Sequence, residues 1–529
     1  MNSSSQSLEL FFDFLSRSYT TLETNFYKIP GSAVLARYVR SSHQNDPGRT
    51  LLEIILIIFA IRTLLQSRTR GDQSGKHFIQ FDEKEIDELV DEWAPEPLAQ
   101  PLTPEEQAEL ASVPVIVGPT GPKPKLSSGK TVTNLASYNF TGLAGNEDIK
   151  AAAVETLRKY GLGSCGPPGF YGTQDVHIQL EQDIADFLGT EAAILYSQAF
   201  STISSVIPAF CKRGDIIVAD RGVNFAIQKG LQISRSTVRW YDHNDMESLE
   251  HVLESVEKER RKRKGPLTRR FIVTEGIFDH DGAMSDLPKL VELKKKYKYR
   301  LILDESVSFG SVGRTGRGLT ELYNVPASGS VANGLSSCGG FCAGSSIVVN
   351  HQRINGTSFV FSAAMPALLT VAASEGINIL RNTPSILSTL QENVRAVRAI
   401  LDRVDCIHIP SHPASAVIHL QIRWPTLQVP THTTSSPSKL SKSNPLSVKP
   451  RDPPQFNVEL EEKLLQDVVD EALAQGVMIT RAKRLRGQEL IEVRPSIRLA
   501  ITAALSRKEC EKAANVVKSA FVKVIGKRR

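Results

Sequence analysis

Apolar and polar positions follow two regimes along this chain. From Tyr138 to about Ser374, the short β-rich runs AAILYS, DIIVAD, STVRWY, RRFIVTEG, RLILDES, SSIVVN and SFVFSA alternate with stretches of helical spacing. That alternation predicts βα units on a mostly parallel sheet buried on both faces. Helical Glu375 to Val404 then leads into a smaller α+β segment, where HPASAVIHLQI and SIRLAITAAL read as strands. Between these two, residues 424–454 are rich in Pro, Ser, Thr and Lys and read as a flexible, disordered surface insertion.

The N-terminal part has a different pattern. Leu8, Phe11, Phe12, Leu15 and Tyr19 recur with helical spacing, an amphipathic stripe that suits a core, a lipid surface or a partner helix. Leu51 to Leu65 is apolar except for Glu53, Arg62 and Thr63. These residues cover about 22 Å against a hydrocarbon core of about 30 Å. Both charges sit near enough to the ends to snorkel, so one transmembrane pass is expected over 49–68, with a surface-lying or buried helix as the other reading. Arg37, Arg40 and Arg49 on one flank balance Arg68, Arg70 and Lys76 on the other, so charge does not set the orientation. Residues 69–137 read as a connector holding an acidic helix, EKEIDELVDEW, and a Pro-rich stretch.

Composition narrows the class. A chain of 529 residues, 41% hydrophobic, holds two or three domains around a large core. Six cysteines with no CxxC pair argue against a disulfide-stapled secreted domain or a zinc module, and for reduced thiols on the cytosolic side of a membrane. No metal site is expected. The net charge of +6 is scattered, and its one dense run, KERRKRK from Lys258 to Lys264, reads as a solvated loop. No nucleic-acid partner is expected.

Two strand ends carry the candidate chemistry. RLILDES places Asp304 at the carboxyl end of a buried strand, where open α/β sheets bind ligands. GSVGRTGRG follows from Gly310 to Gly318, and YGLGSCGPPGFYGTQDVHIQLE (Tyr160 to Glu181) and GGFCAG (Gly339 to Gly344) complete the set. On these motifs the chain, from about Tyr138 to Gly344 and more loosely to its end, resembles the α-oxoamine synthases. These are fold-type-I enzymes dependent on pyridoxal phosphate that join an amino acid to an acyl-CoA and release CO2. The resemblance implies an α/β architecture, with a large pyridoxal-phosphate-transferase domain over 138–374 and a small domain over 375–529. The N-terminal segment 1–48 and the membrane helix 49–68 precede these.

The frame is kept and the reactive groups are lost. In the family a Lys shortly before G-G forms the imine with the cofactor, and no other side chain can do so. Here that position is Asn333, and no Lys occurs between Lys298 and Lys439. The His of the family's D-E-A-H is Val307, and the ring-stacking His of N-H-A is Phe225. No catalytic residue is therefore expected in this chain. By resemblance, Asp304 matches the partner of the pyridinium nitrogen, although a strand-end cap would explain it equally. Ser362 matches a hydroxyl reaching the cofactor phosphate across a dimer, and Cys165 lies in a loop that approaches the subunit junction; a backbone-satisfying hydroxyl and a small structural residue are the respective rivals. Arg498 resembles the holder of the substrate carboxylate.

The resemblance further implies pyridoxal phosphate in a Lys-bearing catalytic partner subunit, with none bound covalently to this chain. A heterodimer follows, with membrane lipid and small activating and regulatory membrane subunits as further partners, at the endoplasmic reticulum membrane with the main domain cytosolic. The alternatives are a membrane-tethered scaffold without a synthase partner, or an autonomous enzyme using a relocated Lys such as Lys439. One departure stands out: only 20 residues separate Gly318 from Gly339, and the acidic, aliphatic strand of the family after NVPAS is missing. Either the strand is truncated here or the gene model has lost a piece; a missing strand would leave its neighbours' backbone groups unpaired.

Overall fold

The computed structural model describes residue 20 and residues 24–65, 81–95, 97–99, 101–263, 268–325, 330–332, 337–423, 457–485 and 487–526. The stripe over 8–19, the insertion over 424–454, Asn333 and Lys439 lie outside these residues. The chain divides into two compact units, Met1–Ala111 and Ser112–Arg529.

In the first unit the apolar run forms the 19-residue helix Pro47–Leu65, preceded by Ser32–Asn45. Among the described residues no helix is long and apolar enough to cross a membrane. The pass expected over 49–68 is unconfirmed: residues 66–68 lie outside the described ones, and the described helix carries Arg49, Glu53 and Arg62. Glu53 does not reach outward alone: Arg49 Nε donates to its Oε1 at 3.0 Å and the Tyr38 hydroxyl at 3.3 Å. The apolar side chains around the helix, including Ile55, Ile58, Phe59 and Leu64, stay exposed. EKEIDELVDEW forms the helix Glu83–Glu92, started by a capping box between Asp82 and Glu85.

The second unit is built on a seven-stranded sheet. Its strands are β1 (Ala192–Tyr196), β2 (Ile216–Asp220), β3 (Thr237–Tyr241), β4 (Arg270–Glu275), β5 (Arg300–Asp304), β6 (Ser330–Ala332) and β7 (Gly340–Gly344). The order is β1-β7-β6-β5-β4-β2-β3. β7 is antiparallel to both neighbours and the other pairs are parallel. Five apolar runs became strands as expected: four are short and largely buried, and Thr237–Tyr241, at one edge of the sheet, is half-buried.

Two expectations fail here for identifiable reasons. SSIVVN is not a strand but the start of the helix Ser346–Asn355, in which Val349 and Gln352 are buried and Ile347 is exposed, a helical and not an alternating pattern. SFVFSA is likewise a short helical turn, Thr357–Val360, followed by irregular backbone. The strand after NVPAS, read as truncated or lost, is present in short form as β6. It is only three residues long and lacks the acidic, aliphatic signature, but the free edges of β5 and β7 pair it from both sides, Leu303 with Ser330 and Phe341 with Ala332.

A second, antiparallel sheet joins β8 (Ile407–His408), β9 (Val417–Ile422), β10 (Thr480–Arg481) and β11 (Ile497–Ala500) in the order β8-β9-β11-β10. HPASAVIHLQI and SIRLAITAAL supply its two central strands. The helix Arg507–Ile525 buries Cys510, Ala513, Ala514, Val517, Phe521 and Ile525, one face at three- and four-residue spacing. The main apolar cluster runs without a break from Leu303, Val307 and Phe341 to Ile418, Leu499 and Phe521. The boundary read at 374 lies inside the helix Ala367–Asn382. KERRKRK, expected as a loop, lies in the helix Met246–Arg263 over residues 258–263, with Lys264 outside the described residues; Arg260 and Arg261 pair with Glu257 and hold its carboxyl down at about 2.

Candidate functional site

Asp304 and Glu275 end neighbouring parallel strands in register, and both are buried. Asp304 Oδ2 accepts from Asn224 Nδ2 at 3.1 Å, and Oδ1 accepts from the Ser306 backbone N–H at 2.9 Å and from the Ser306 hydroxyl. Glu275 accepts backbone N–H groups of Asn224 at 2.5 Å and Asp279 at 3.3 Å. Burial raises both pKa values, and for Glu275 the charges of Asp304 and Asp279 raise it further. Adjacent buried carboxyls cannot both ionise cheaply. Three donors on Asp304 place the charge there and leave Glu275 the proton holder.

Asn224 is also the N-cap of the helix Phe225–Ser234, its Oδ1 accepting from Ile227 N–H at 3.0 Å. That cap fixes Phe225 at the first helical position. Its ring lies 6.2 Å from that of Phe200 and carries the Lys229 ammonium 4.8 Å from its centroid. Val307 is sealed in the main core with Phe309 and Phe341. Hydrocarbon thus fills both positions where the family has imidazole.

The glycine-rich loops are held by acids and backbone. Glu305, fully buried, accepts from Leu319 and Thr320 backbone N–H groups at 3.1 and 3.3 Å and from the Ser308 hydroxyl. Gly318 has a φ of +89°, and a side chain there would meet Glu305 Oε2 at 2.5 Å. In the first loop, Ser164 Oγ donates to Gly172 O at 2.9 Å and Gly172 N–H to Pro167 O at 3.0 Å. Cys165 is exposed there, at a φ of +51°. Ala364 N–H donates to Gly166 O at 2.9 Å, which brings this loop against the segment carrying Ser362. Ser362 Oγ lies 3.2 Å from Ser197 Oγ of the same chain. The His and Glu of the first loop's motif are structural: His177 Nδ1 accepts from Gln174 N–H at 2.9 Å, which leaves Nε2 to donate to Met365 O at 2.6 Å, and Glu181 pairs with Arg353 at 2.5 Å.

Arg498, on β11, stacks its guanidinium 4.5 Å above the Tyr138 ring, with a buried, unpartnered Nε. The Tyr138 hydroxyl donates to Asp279, and Asp279 N–H donates to Glu275. A continuous chain of contacts therefore joins Arg498 to Asp304. Asn224 and Glu275, its middle members, were not singled out by sequence, although Glu275 ends RRFIVTEG as Asp304 ends RLILDES.

A second cluster was also missed. Asp220 ends β2, and His243 follows β3 with Nδ1 2.9 Å from Asp220 Oδ1 and Nε2 3.1 Å from Asp281 Oδ2. Burial lowers the His243 pKa, but hydrogen bonds to Asp220 and Asp281 outweigh it and bring it to about 10. Burial instead pushes His280 down to about 4.

The residues fit a pyridoxal frame but not a covalently held cofactor. Asp304 offers a buried anion, whereas the imine requires an amine that the sequence between Lys298 and Lys439 does not contain.

Residues 130–517 match the family of class I and II aminotransferases. The chain is 38% identical to serine palmitoyltransferase 1 of Saccharomyces cerevisiae, over 94% of this chain and 92% of that protein. It is 39% identical to serine palmitoyltransferase 1 of Dictyostelium discoideum, over 82% of this chain and 86% of that protein. It is 46% identical to long chain base biosynthesis protein 1c of Oryza sativa, over 65% and 71%. Its fold is shared with the solved serine palmitoyltransferase of Sphingomonas wittichii, at a TM-score of 0.66 and 20% identity, covering 79% of this chain and 96% of that one. A serine palmitoyltransferase from S. paucimobilis, solved with a bound pyridoxal phosphate–myriocin aldimine, superposes equally well, at 0.66 and 20%, covering 84% and 99%. The chain belongs to the class I and II aminotransferase family, fold type I of the pyridoxal-phosphate enzymes, as a subunit of the serine palmitoyltransferase 1 kind.

Proposed function

We propose that this chain is the non-catalytic, stabilising and anchoring subunit of a serine palmitoyltransferase. Beside a Lys-bearing partner it supports the condensation of L-serine with palmitoyl-CoA to 3-ketosphinganine, CoA and CO2, the first step of sphingolipid long-chain base synthesis. The observation that carries this reading is the preserved carboxylate end, Asp304 with Asn224 and Glu275, in a sequence with no amine between Lys298 and Lys439. An anion kept in place without the group that would tether the cofactor suits a chain that completes a neighbour's site. Pyridoxal phosphate, when bound, supplies the electron sink for the amino-acid substrate, and on this reading it is bound to the partner. The exposed apolar side chains of Pro47–Leu65 support attachment to the endoplasmic reticulum membrane, with the main domain in the cytosol.

The test is purification of the tagged full chain from detergent extracts, with and without its companions. A Lys-bearing homologue in equal amount, and no borohydride-fixed pyridoxal label on this chain, are expected. A fixed label on this polypeptide, or turnover of serine and acyl-CoA by the isolated chain, would refute the reading.

A further inference from the structure

His280 is 6% exposed, its Nδ1 is buried without a partner, and its Nε2 lies 3.6 Å from Asp281 Oδ2, beyond a hydrogen bond. His280 Nε2 therefore has no hydrogen-bond partner among the described residues and keeps its lone pair for a ligand facing Asp281. His243 Nε2 lies 3.1 Å from the same Asp281 oxygen. The ligand atoms of His243, His280 and Asp281 all fall within 4.8 Å of one another. We infer that these three side chains form a site for a divalent transition-metal ion of the zinc class.

The two spacings to Asp281 suit a coordination shell. Zinc bonds of about 2.0–2.1 Å to nitrogen and oxygen, in tetrahedral geometry, set ligand atoms about 3.3 Å apart. The two distances to Asp281 Oδ2, 3.1 and 3.6 Å, bracket that value. His243 also has the outer partner that metal-bound histidines need, since Nδ1 faces Asp220 Oδ1 at 2.9 Å, which fixes the ring and leaves Nε2 for the ion. Asp220 is itself held by Gly222 and Asn244 backbone N–H groups at 2.6 and 2.7 Å.

The backbone is shaped for the two rings. A Cβ on residue 222 would meet His243 Nδ1 at 2.3 Å and His280 Cε1 at 2.6 Å, so only glycine lets both imidazoles close on Asp281. A cavity of about 300 Å³, lined in part by His280, Arg484, Glu489, Glu492 and Ser496, provides an approach for ion and water to the open fourth position. The ligands sit just past the carboxyl ends of β3 and β4, with Asp220 ending β2 between them, the face where open α/β sheets bind ligands. On binding, His243 Nε2 gives its proton to solvent and its lone pair to the ion. The expectation of no metal site rested on cysteine spacing and did not reach a His and Asp set drawn from separate strands.

The test uses the full chain in detergent, its purification tag removed, stripped with a chelator and titrated with CoCl2 and separately with ZnCl2. One equivalent of Co2+ with the visible bands of a four-coordinate site, displaced by Zn2+, is expected. His280→Gln, which removes no hydrogen bond, should weaken binding at least tenfold while the melting temperature of the stripped protein stays put. Asp220→Asn should weaken it by about 10- to 100-fold. The absence of saturable binding, or equal binding by wild type and His280→Gln, would overturn the inference and leave His243 as an imidazolium strapped between two carboxylates.

Discussion

Asn224 donates through its side chain to Asp304 Oδ2 at 3.1 Å, and through its backbone N–H to Glu275 Oε1 at 2.5 Å. One residue thereby serves two adjacent buried acids while capping the helix that begins at Phe225. Asn224→Ala removes a cap worth about 1 kcal/mol and a hydrogen bond to a charged group worth about 1.5–3 kcal/mol. A fall in stability of about 3 kcal/mol is expected, read as a lower melting temperature of the full chain. Asn224→Asp keeps the cap but adds a third acid, and should melt below Asn224→Ala at neutral pH and recover towards it on acidification.

Glu305 gives a pH signature. Burial raises its pKa from 4.5 to about 7. A carboxyl whose folded pKa is raised contributes stability fully present below its unfolded pKa, and that stability is lost as pH rises through the folded value. Glu305→Gln fixes the neutral state. Compared with this variant, the wild type should lose melting temperature between about pH 4.5 and pH 7. Parallel melting curves of the two proteins over that interval would contradict the assignment.

Ser362 tests the dimer reading. Within this chain it bonds to Ser197 and weakly to Ala363 O, so Ser362→Ala should leave the melting temperature of the isolated chain within experimental error. If the hydroxyl reaches the partner's cofactor phosphate, the assembled complex should need about 10- to 100-fold more pyridoxal phosphate for half-maximal activity, the range for one hydrogen bond to a charged group. Unchanged cofactor dependence would reduce Ser362 to its local bond.

Thiol labelling maps the junction. Cys165 and Cys338 are exposed, whereas Cys211, Cys342, Cys406 and Cys510 are buried. Burial also lifts the thiols of Cys211, Cys342 and Cys510 to about 12, 11 and 12, far from the reactive thiolate. Brief iodoacetamide treatment followed by peptide mass analysis should mark Cys165 and Cys338 alone. Assembly with the catalytic partner should suppress labelling at Cys165, whose loop packs against the Ser362 segment.

Local sequence determined the strands from Ala192 to Asp304, because each is a short apolar or β-branched run bounded by turns. It also determined that no imine can form between Lys298 and Lys439, since that depends on residue type alone. Tertiary structure decided what short range leaves ambiguous. SSIVVN became a helix because burial falls at Val349 and Gln352, and Ser330–Ala332 became a strand because two open edges flank it. The same holds for the acids and imidazoles. Asp220, His243 and the neighbours His280 and Asp281 come from three places in the chain, and only the β3-β2-β4 order brings them together, with His243 bonded to Asp220 and Asp281, so no spacing in the sequence announces them.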